Sequence, residues 1–345
     1  MEFAFTEDQL AITQAAREML VETCTGADLR KLADSGHAFD QARWETIREM
    51  GLLGMLAPEA SGGLGMSLID LVGVAEAAGY VGLPEPLVEM AGIVVPLLAR
   101  AKNAGEWLDK AIDGDVIAIA HPSNPYVSGA DSAVAVLLED GEQVAIAGIE
   151  ALAFSPVKSF DPLRHLCTVA GQPGNSARLG TGWNDTADRG ALLAAAQMIG
   201  LAQRCIDLAV AYAKDRIQFG KPIGSTQAVK HMISSAQVKV EFARPVVHAA
   251  AVELPLGTLA SRARVAHAKI AAGEAADAAA RMAVQAHGAM GMTWEIELHF
   301  YLKRAMALNY AWGTPADHRA TVLERISCVR TGPDATFARE LELQA

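Results

Sequence analysis

Residues Asp215–Ile223 read DRIQFGKPI, and the assignment of the fold turns on that bend. Before it runs RGALLAAAQMIGLAQRCIDLAVAYAKDR, Arg189–Arg216, in which apolar residues recur every three or four positions. That period predicts a long helix, and Gly220 and Pro222 stop it. An arginine at such a helix end is ordinarily a partner for the helix dipole, worth a few tenths of a kcal/mol. Here Arg216 is joined by the amide of Gln218 and the ring of Phe219. A guanidinium fork, an amide and an aromatic face together suit a phosphate group carried beside a flat ring.

A second bend, QAHGAMGMTWE, Gln285–Glu295, ends another alanine-rich run. Gly288 and Gly291 let the backbone approach a ligand closely. A helix ending at glycine, followed by one that Thr293 caps, accounts for the same residues without a ligand.

The rest of the chain sets the frame. It has 345 residues, 51% apolar and 20% charged, with few aromatics. That is a globular composition biased towards helix. The formal net charge is −11 and no basic block occurs, which argues against a nucleic-acid partner. Cys24, Cys167, Cys205 and Cys328 are widely spaced with no CxxC pair. Free thiols in a reducing cytoplasm, and no metal site, are expected. The start, MEFAFTEDQL, lacks the basic segment of a secretory signal. The longest uncharged apolar run, Gly190–Gln203, is too short to cross a bilayer, so no membrane insertion is expected.

Three parts follow. Residues 1–114 read as helices: TEDQLAITQAAREML with Thr6 as N-cap, ARWETIREMGLL stopped by Gly51, SLIDLVGVAEAAGYVG, and PLVEMAGIVVPLLAR. The GGLG between the second and third has no strand before it and reads as a plain turn. Residues 115–184 hold five short apolar runs (DVIAIAHP, SAVAVLLE, EQVAIAGI, EALAFSPV, HLCTVAGQ) broken by turn residues, which predict a small antiparallel β domain. Residues 185–345 read as four helices. The expected fold class is mainly α with a small β domain.

At the two bends the chain resembles the acyl-CoA dehydrogenase family, in which an R-x-x-F-G element and a Q-x-x-G-G-x-G element grip FAD, chiefly FAD held by a partner subunit. The stretch Trp44–Leu71 and the helix–sheet–helix order are similar too. The resemblance implies an N-terminal helical domain, a shortened barrel-like middle domain and a C-terminal four-helix bundle. It implies FAD contacts by Arg216, Gln218, Phe219, Thr226, Gln227, Gln285, Gly288 and Ala289, the last in place of the family's second glycine.

The chain also departs from the family. His121 and Pro122 stand where the family's flavin-ring segment has Thr-Glu-Pro, and no W-I-T segment follows. Trp312, in NYAWGTPAD, replaces the usual glutamate base. The alternative position for that base falls at Leu256, beside Pro255, which leaves Glu253 as the nearby carboxylate. A solvated carboxylate at a helix end is the plainer account of Glu253, and His248 and His287 read as core histidines. In SFDPLRHL, Asp161 and Arg164 are expected to clamp their own loop. The pattern implies the small subunit of a heteromeric dehydrogenase of acyl-CoA esters, including steroid side chains, paired with a homologous larger subunit as an α2β2 heterotetramer. A self-sufficient homo-oligomer with Glu253 as base, and a non-catalytic scaffold, are the alternatives.

Overall fold

The computed structural model describes residues 5–37, 39–170 and 176–328. The first part is helical. Helix α1 (Glu7–Thr23) opens with a capping box in which Thr6 and Gln9 satisfy each other's backbone N–H. Helices α2 (Gly26–Ser35), α3 (Gln41–Glu49) and α4 (Leu68–Val81) follow. Gly51 ends the third in the left-handed region, φ +71°, as its position predicts. The GGLG loop is a turn whose Gly63 lies against the Ala57 backbone. The segment read as a fourth helix is α5 (Leu87–Glu89), a π-helical turn at Met90–Val94, then α6 (Val95–Arg100). Helix α7 (Trp107–Ile112) closes the part.

The middle part holds β1 (Ile117–Ala120), β2 (Val127–Ser128), β3 (Ala135–Asp140), β4 (Gln143–Gly148), β5 (Ala153–Val157), β6 (Leu166–Ala170) and β7 (Ala177–Arg178). Each of the five apolar runs contains a strand. The pairing is not all antiparallel, however. One sheet has the order β1-β3-β4-β7 with β1 and β3 parallel, and the other is β2-β6-β5. The chain leaves β1 through β2 in the other sheet before returning as β3, and that crossover makes a parallel pair possible.

The third part contains α8 (Thr186–Asp215), the hairpin β8 (Ile217–Gln218) and β9 (Lys221–Pro222), α9 (Gln227–Glu253), α10 (Leu259–His287), α11 (Leu298–Tyr310) and α12 (Pro315–Cys328). Among the described residues five helices stand here rather than four. Thr293 does not cap α11, which begins five residues later; its hydroxyl donates to the Met290 carbonyl at 2.8 Å. Helix α8 is long and apolar enough to cross a membrane, but most of that surface is packed inside the protein. Helix α10 packs on α8, α9 and α12.

One core joins the parts. Helices α4 and α8 cross at glycines: a Cβ on Gly200 would sit 1.9 Å from the Glu76 carbonyl, and one on Gly79 would sit 2.0 Å from that of Gln197. Only hydrogen side chains allow that approach. Arg304 of α11 stitches all three parts. Its Nε donates to Asp161 at 2.6 Å and its Nη1 to the Leu83 carbonyl at 2.7 Å. This corrects the expected Asp161–Arg164 clamp. Asp161 does brace its loop, accepting from Leu163 N at 3.1 Å, but its ion-pair partner is Arg304; Arg164 donates its backbone N–H to the Asp161 carbonyl and its charge acts on Asp161 without a direct ion pair.

Candidate functional site

The two bends meet at one end of the helical bundle. Tyr212, one turn before Arg216 on α8, stacks on His287, the last residue of α10, with ring centroids 4.3 Å apart. His287 has its Nδ1 2.8 Å from the Ala283 carbonyl, so that nitrogen carries the proton. The first bend is a tight hairpin closed by Ile223 N–H on the Arg216 carbonyl at 2.9 Å. At its tip Phe219 adopts φ +51°, costly for a non-glycine residue, and its ring is 100% exposed. At the second bend Gly288 has φ +60° and ψ −137°, a backbone state open to glycine.

All eight residues assigned to the cofactor, Arg216, Gln218, Phe219, Thr226, Gln227, Gln285, Gly288 and Ala289, lie on the surface. The Arg216 guanidinium has no hydrogen-bond or ion-pair partner among the described residues. The Gln218 amide reaches only its neighbour's carbonyl, at 2.8 Å. Thr226 occupies the N-cap of α9 without a side-chain cap bond, leaving the positive end of a 27-residue helix open. These groups fit a dinucleotide: a free fork for its pyrophosphate, amides for its polar edges and uncapped N–H groups.

A cavity of about 270 Å3 lies elsewhere, between β1, the loops around Asn124 and Arg164, and the C-terminal end of α11. Trp312 borders it in a left-handed conformation, φ +60°. Three contacts hold it there. Its N–H donates to Asn124 Oδ1 at 2.9 Å. Its ring lies on Gly190, where a Cβ would come within 2.1 Å. The ammonium of buried Lys269 ties down the preceding turn, donating to the carbonyls of Leu308 at 2.5 Å and Ala311 at 2.8 Å. Burial pulls the Lys269 pKa down to about 7.

His121 stands beside Trp312 and Trp183, its ring centroid 5.3 Å from that of Trp312 and 4.8 Å from that of Trp183. His121 Nδ1 accepts from Ser123 N–H at 3.1 Å, which puts the proton on Nε2. That nitrogen and Trp183 Nε1 are buried without partners. Burial pushes His121 down to about 4, so it is neutral at pH 7. Glu89 and Arg164 also line the cavity. Burial raises the carboxyl pKa of Glu89, with Arg304 and Arg164 opposing, and lowers the pKa of the Arg164 guanidinium.

Glu253 is in neither place. It is 7% exposed, not solvated, and its carboxylate pairs with Arg264 at 2.6 Å. It is not among the residues that line the cavity. His248 packs edge-on against Phe5. The Tyr212–His287 stack and the roles of Arg304 and Glu89 were not read from the sequence. Arg304 left one trace, an arginine among apolar neighbours in YLKRAMAL.

The comparisons agree with this architecture. Residues 6–115 match the acyl-CoA dehydrogenase N-terminal domain and 182–327 the acyl-CoA dehydrogenase C-terminal domain. Acyl-CoA dehydrogenase IpdE2 of Mycolicibacterium smegmatis is 33% identical over 313 residues, 90% of this chain and 96% of that protein. The Mycobacterium tuberculosis protein of the same name is 33% identical over 301 residues, 87% and 91% of the two chains. Among solved structures, the ChsE4-ChsE5 complex from Mycobacterium tuberculosis superimposes with a TM-score of 0.84 at 22% identity, covering 96% of this chain and 100% of that one. This chain belongs to the acyl-CoA dehydrogenase family, oxidoreductases acting on CH–CH groups.

Proposed function

We propose that this chain is the smaller subunit of a heteromeric, FAD-dependent acyl-CoA dehydrogenase and that it closes a clamp on FAD seated mainly in a larger, homologous partner. The observation that carries the reading is Phe219. A fully exposed aromatic ring, held on a strained hairpin tip just after an unpaired Arg216 and a Gln218 whose amide reaches only the Ile217 carbonyl, suits a surface that another chain covers. Met292, 78% exposed, and Trp294, 47% exposed, add apolar surface at the second bend. The clamp residues would take the pyrophosphate and adenosine portions of the cofactor.

Bound FAD supplies the hydride acceptor for the substrate β-carbon. The α-proton needs a carboxylate within hydrogen-bond reach. In this chain Trp312 occupies the base position and the Glu253 carboxylate is committed to Arg264, so the base is assigned to the partner. The substrate is an acyl-CoA thioester with a bulky apolar acyl group, in keeping with the fold shared with the Tcur3481-Tcur3483 steroid ACAD. The unpaired thiols support a reducing, cytoplasmic setting.

The test is flavin absorbance of the chain purified alone and with the larger homologue co-expressed. FAD and activity are expected only in the complex, and Arg216→Ala should empty the complex of FAD. A yellow, active preparation of this chain by itself ends the reading. Glu253→Gln in the complex separates it from the self-sufficient alternative: turnover should survive.

A further inference from the structure

We infer that Arg30 of α2 is a positioning residue for the second bend: it fixes the backbone that follows Gly288 and Ala289, so that the bend meets FAD in one arrangement. This role rests on the clamp reading and extends it to the N-terminal helices.

Arg30 lies 264 positions before Trp294, yet its Nη2 donates to the Trp294 carbonyl at 3.1 Å and to the Glu295 carbonyl at 3.0 Å. Among the described residues its guanidinium makes no ion pair, and its Nε is buried without a partner. One turn earlier on α2, Gly26 touches the same segment. A Cβ there would sit 1.3 Å from Glu297 Oε2. The other Glu297 oxygen accepts from Arg204 Nη2 of α8 at 2.6 Å. Positions 26 and 30 share one face of a helix. Helix α2 therefore seats on Trp294–Glu297 at two points, and α8 holds the same segment from another side.

The second bend is thus anchored at both ends. At its start His287 stacks on Tyr212. At its end Trp294 stacks on His299 of α11, centroids 4.1 Å apart and planes at 18°, with the Lys303 ammonium 4.9 Å from the indole centroid. His299 gives no hydrogen bond to this contact, since both its ring nitrogens lack partners. Stacked rings can slide over one another. Two charge-assisted bonds to consecutive carbonyls cannot slide, and because each peptide unit is planar they fix two peptide planes. Between the anchors runs the 3-10 turn Gly288–Met292, whose two glycines give it backbone freedom. The order that a ligand-binding backbone needs, about 0.5 Å, must then come from the anchors.

The experiment pairs hydrogen exchange of the chain alone with FAD retention by the complex co-expressed with the larger homologue. In Arg30→Met, peptides covering Gln285–Glu297 should exchange at least about threefold faster, while those of the first bend and the melting temperature change little. In the complex the same variant should release FAD on dilution about three- to tenfold more readily, followed by flavin fluorescence. Arg30→Lys should restore most of both, because an ammonium can bond two carbonyls, as that of Lys269 does. Lys31→Met, which removes the exposed neighbouring charge, should do neither. Unchanged exchange at the second bend, or equal effects in Lys31→Met, would overturn the assignment. So would FAD retention that survives Arg30→Met while Arg216→Ala empties the complex. A melting temperature that falls in step with FAD retention would reduce Arg30 to a contact of the fold. FAD retained by Arg216→Ala ends the clamp reading itself, and this role with it, whatever the exchange shows.

Discussion

The Asp161 carboxylate accepts the Arg304 Nε–H at 2.6 Å with both side chains buried. The pair joins the loop before β6 to α11, and Arg304 continues to the Leu83 carbonyl, so one guanidinium connects three parts of the chain. Removing one partner strands a buried charge. Asp161→Ala should therefore destabilise the protein by about 3–5 kcal/mol, whereas Asp161→Leu combined with Arg304→Met should recover most of that loss. Denaturant unfolding of the single and double variants checks this. A double variant as unstable as the single would mean that packing, not charge, carries the effect.

Gly190 sets the position of Trp312. Because a methyl group there would lie about an atom's radius inside the indole, Gly190→Ala should cost about 1–3 kcal/mol and move the tryptophan. The readouts are thermal stability and a shift in tryptophan emission. Trp312→Ala should make the same glycine substitution nearly silent, since the clash partner is then gone.

Four histidines predict the acid limb of the stability curve. His121, His248, His299 and His318 are each pushed down to about 4 by burial. In the unfolded chain they titrate near 6.5. Between those values the unfolded chain binds more protons, so stability is kept above about pH 6.5 and lost as pH falls towards 4. Glu76, Glu89 and Asp188, whose carboxyls burial raises, oppose this. Melting temperature measured from pH 7.5 to 4.5 should fall slightly near pH 7, where buried Lys269 takes up its proton, and more steeply below about pH 6.5. Both ring nitrogens of His299 lack partners, so His299→Phe should flatten part of the fall. An unchanged slope in that variant would assign the loss to other groups.

The division of the chain into helices, strands and helices was legible because local period carries it. Thr6 and Gly51 marked helix ends through chemistry confined to a few residues. The parallel β1–β3 pair was not legible, since alternation along a strand says nothing of its neighbour's direction. Thr293 had the right chemistry for a cap and the wrong backbone: it closes a 3-10 turn instead. Arg304 and Asp161 lie 143 positions apart, and no local signal pairs them against the nearer Arg164. The two bends were legible as motifs; the Tyr212–His287 contact that brings them together was not.

That contact makes its own prediction. An aromatic stack contributes about 0.5–1.5 kcal/mol beyond burial. If it aligns the two bends on FAD, Tyr212→Leu should weaken FAD retention by the complex about two- to tenfold while leaving its melting temperature without cofactor nearly unchanged. Cofactor release on dilution, followed by flavin fluorescence, measures it. Equal losses in cofactor-free stability and in FAD affinity would reduce the stack to packing.

Phe219 separates interface from fold. At φ +51° a phenylalanine costs about 1–2 kcal/mol, and in the isolated chain its ring touches only solvent. Phe219→Gly removes both the strain and the exposed ring. If the hairpin meets a partner, this variant should be as stable as the wild type or more so on its own, yet associate with the larger subunit at least about tenfold more weakly. Thermal melting of the single chain and sedimentation of the mixture give the two numbers. Undiminished association would show that the partner does not cover the hairpin tip, and the FAD clamp would then need another route to its cofactor.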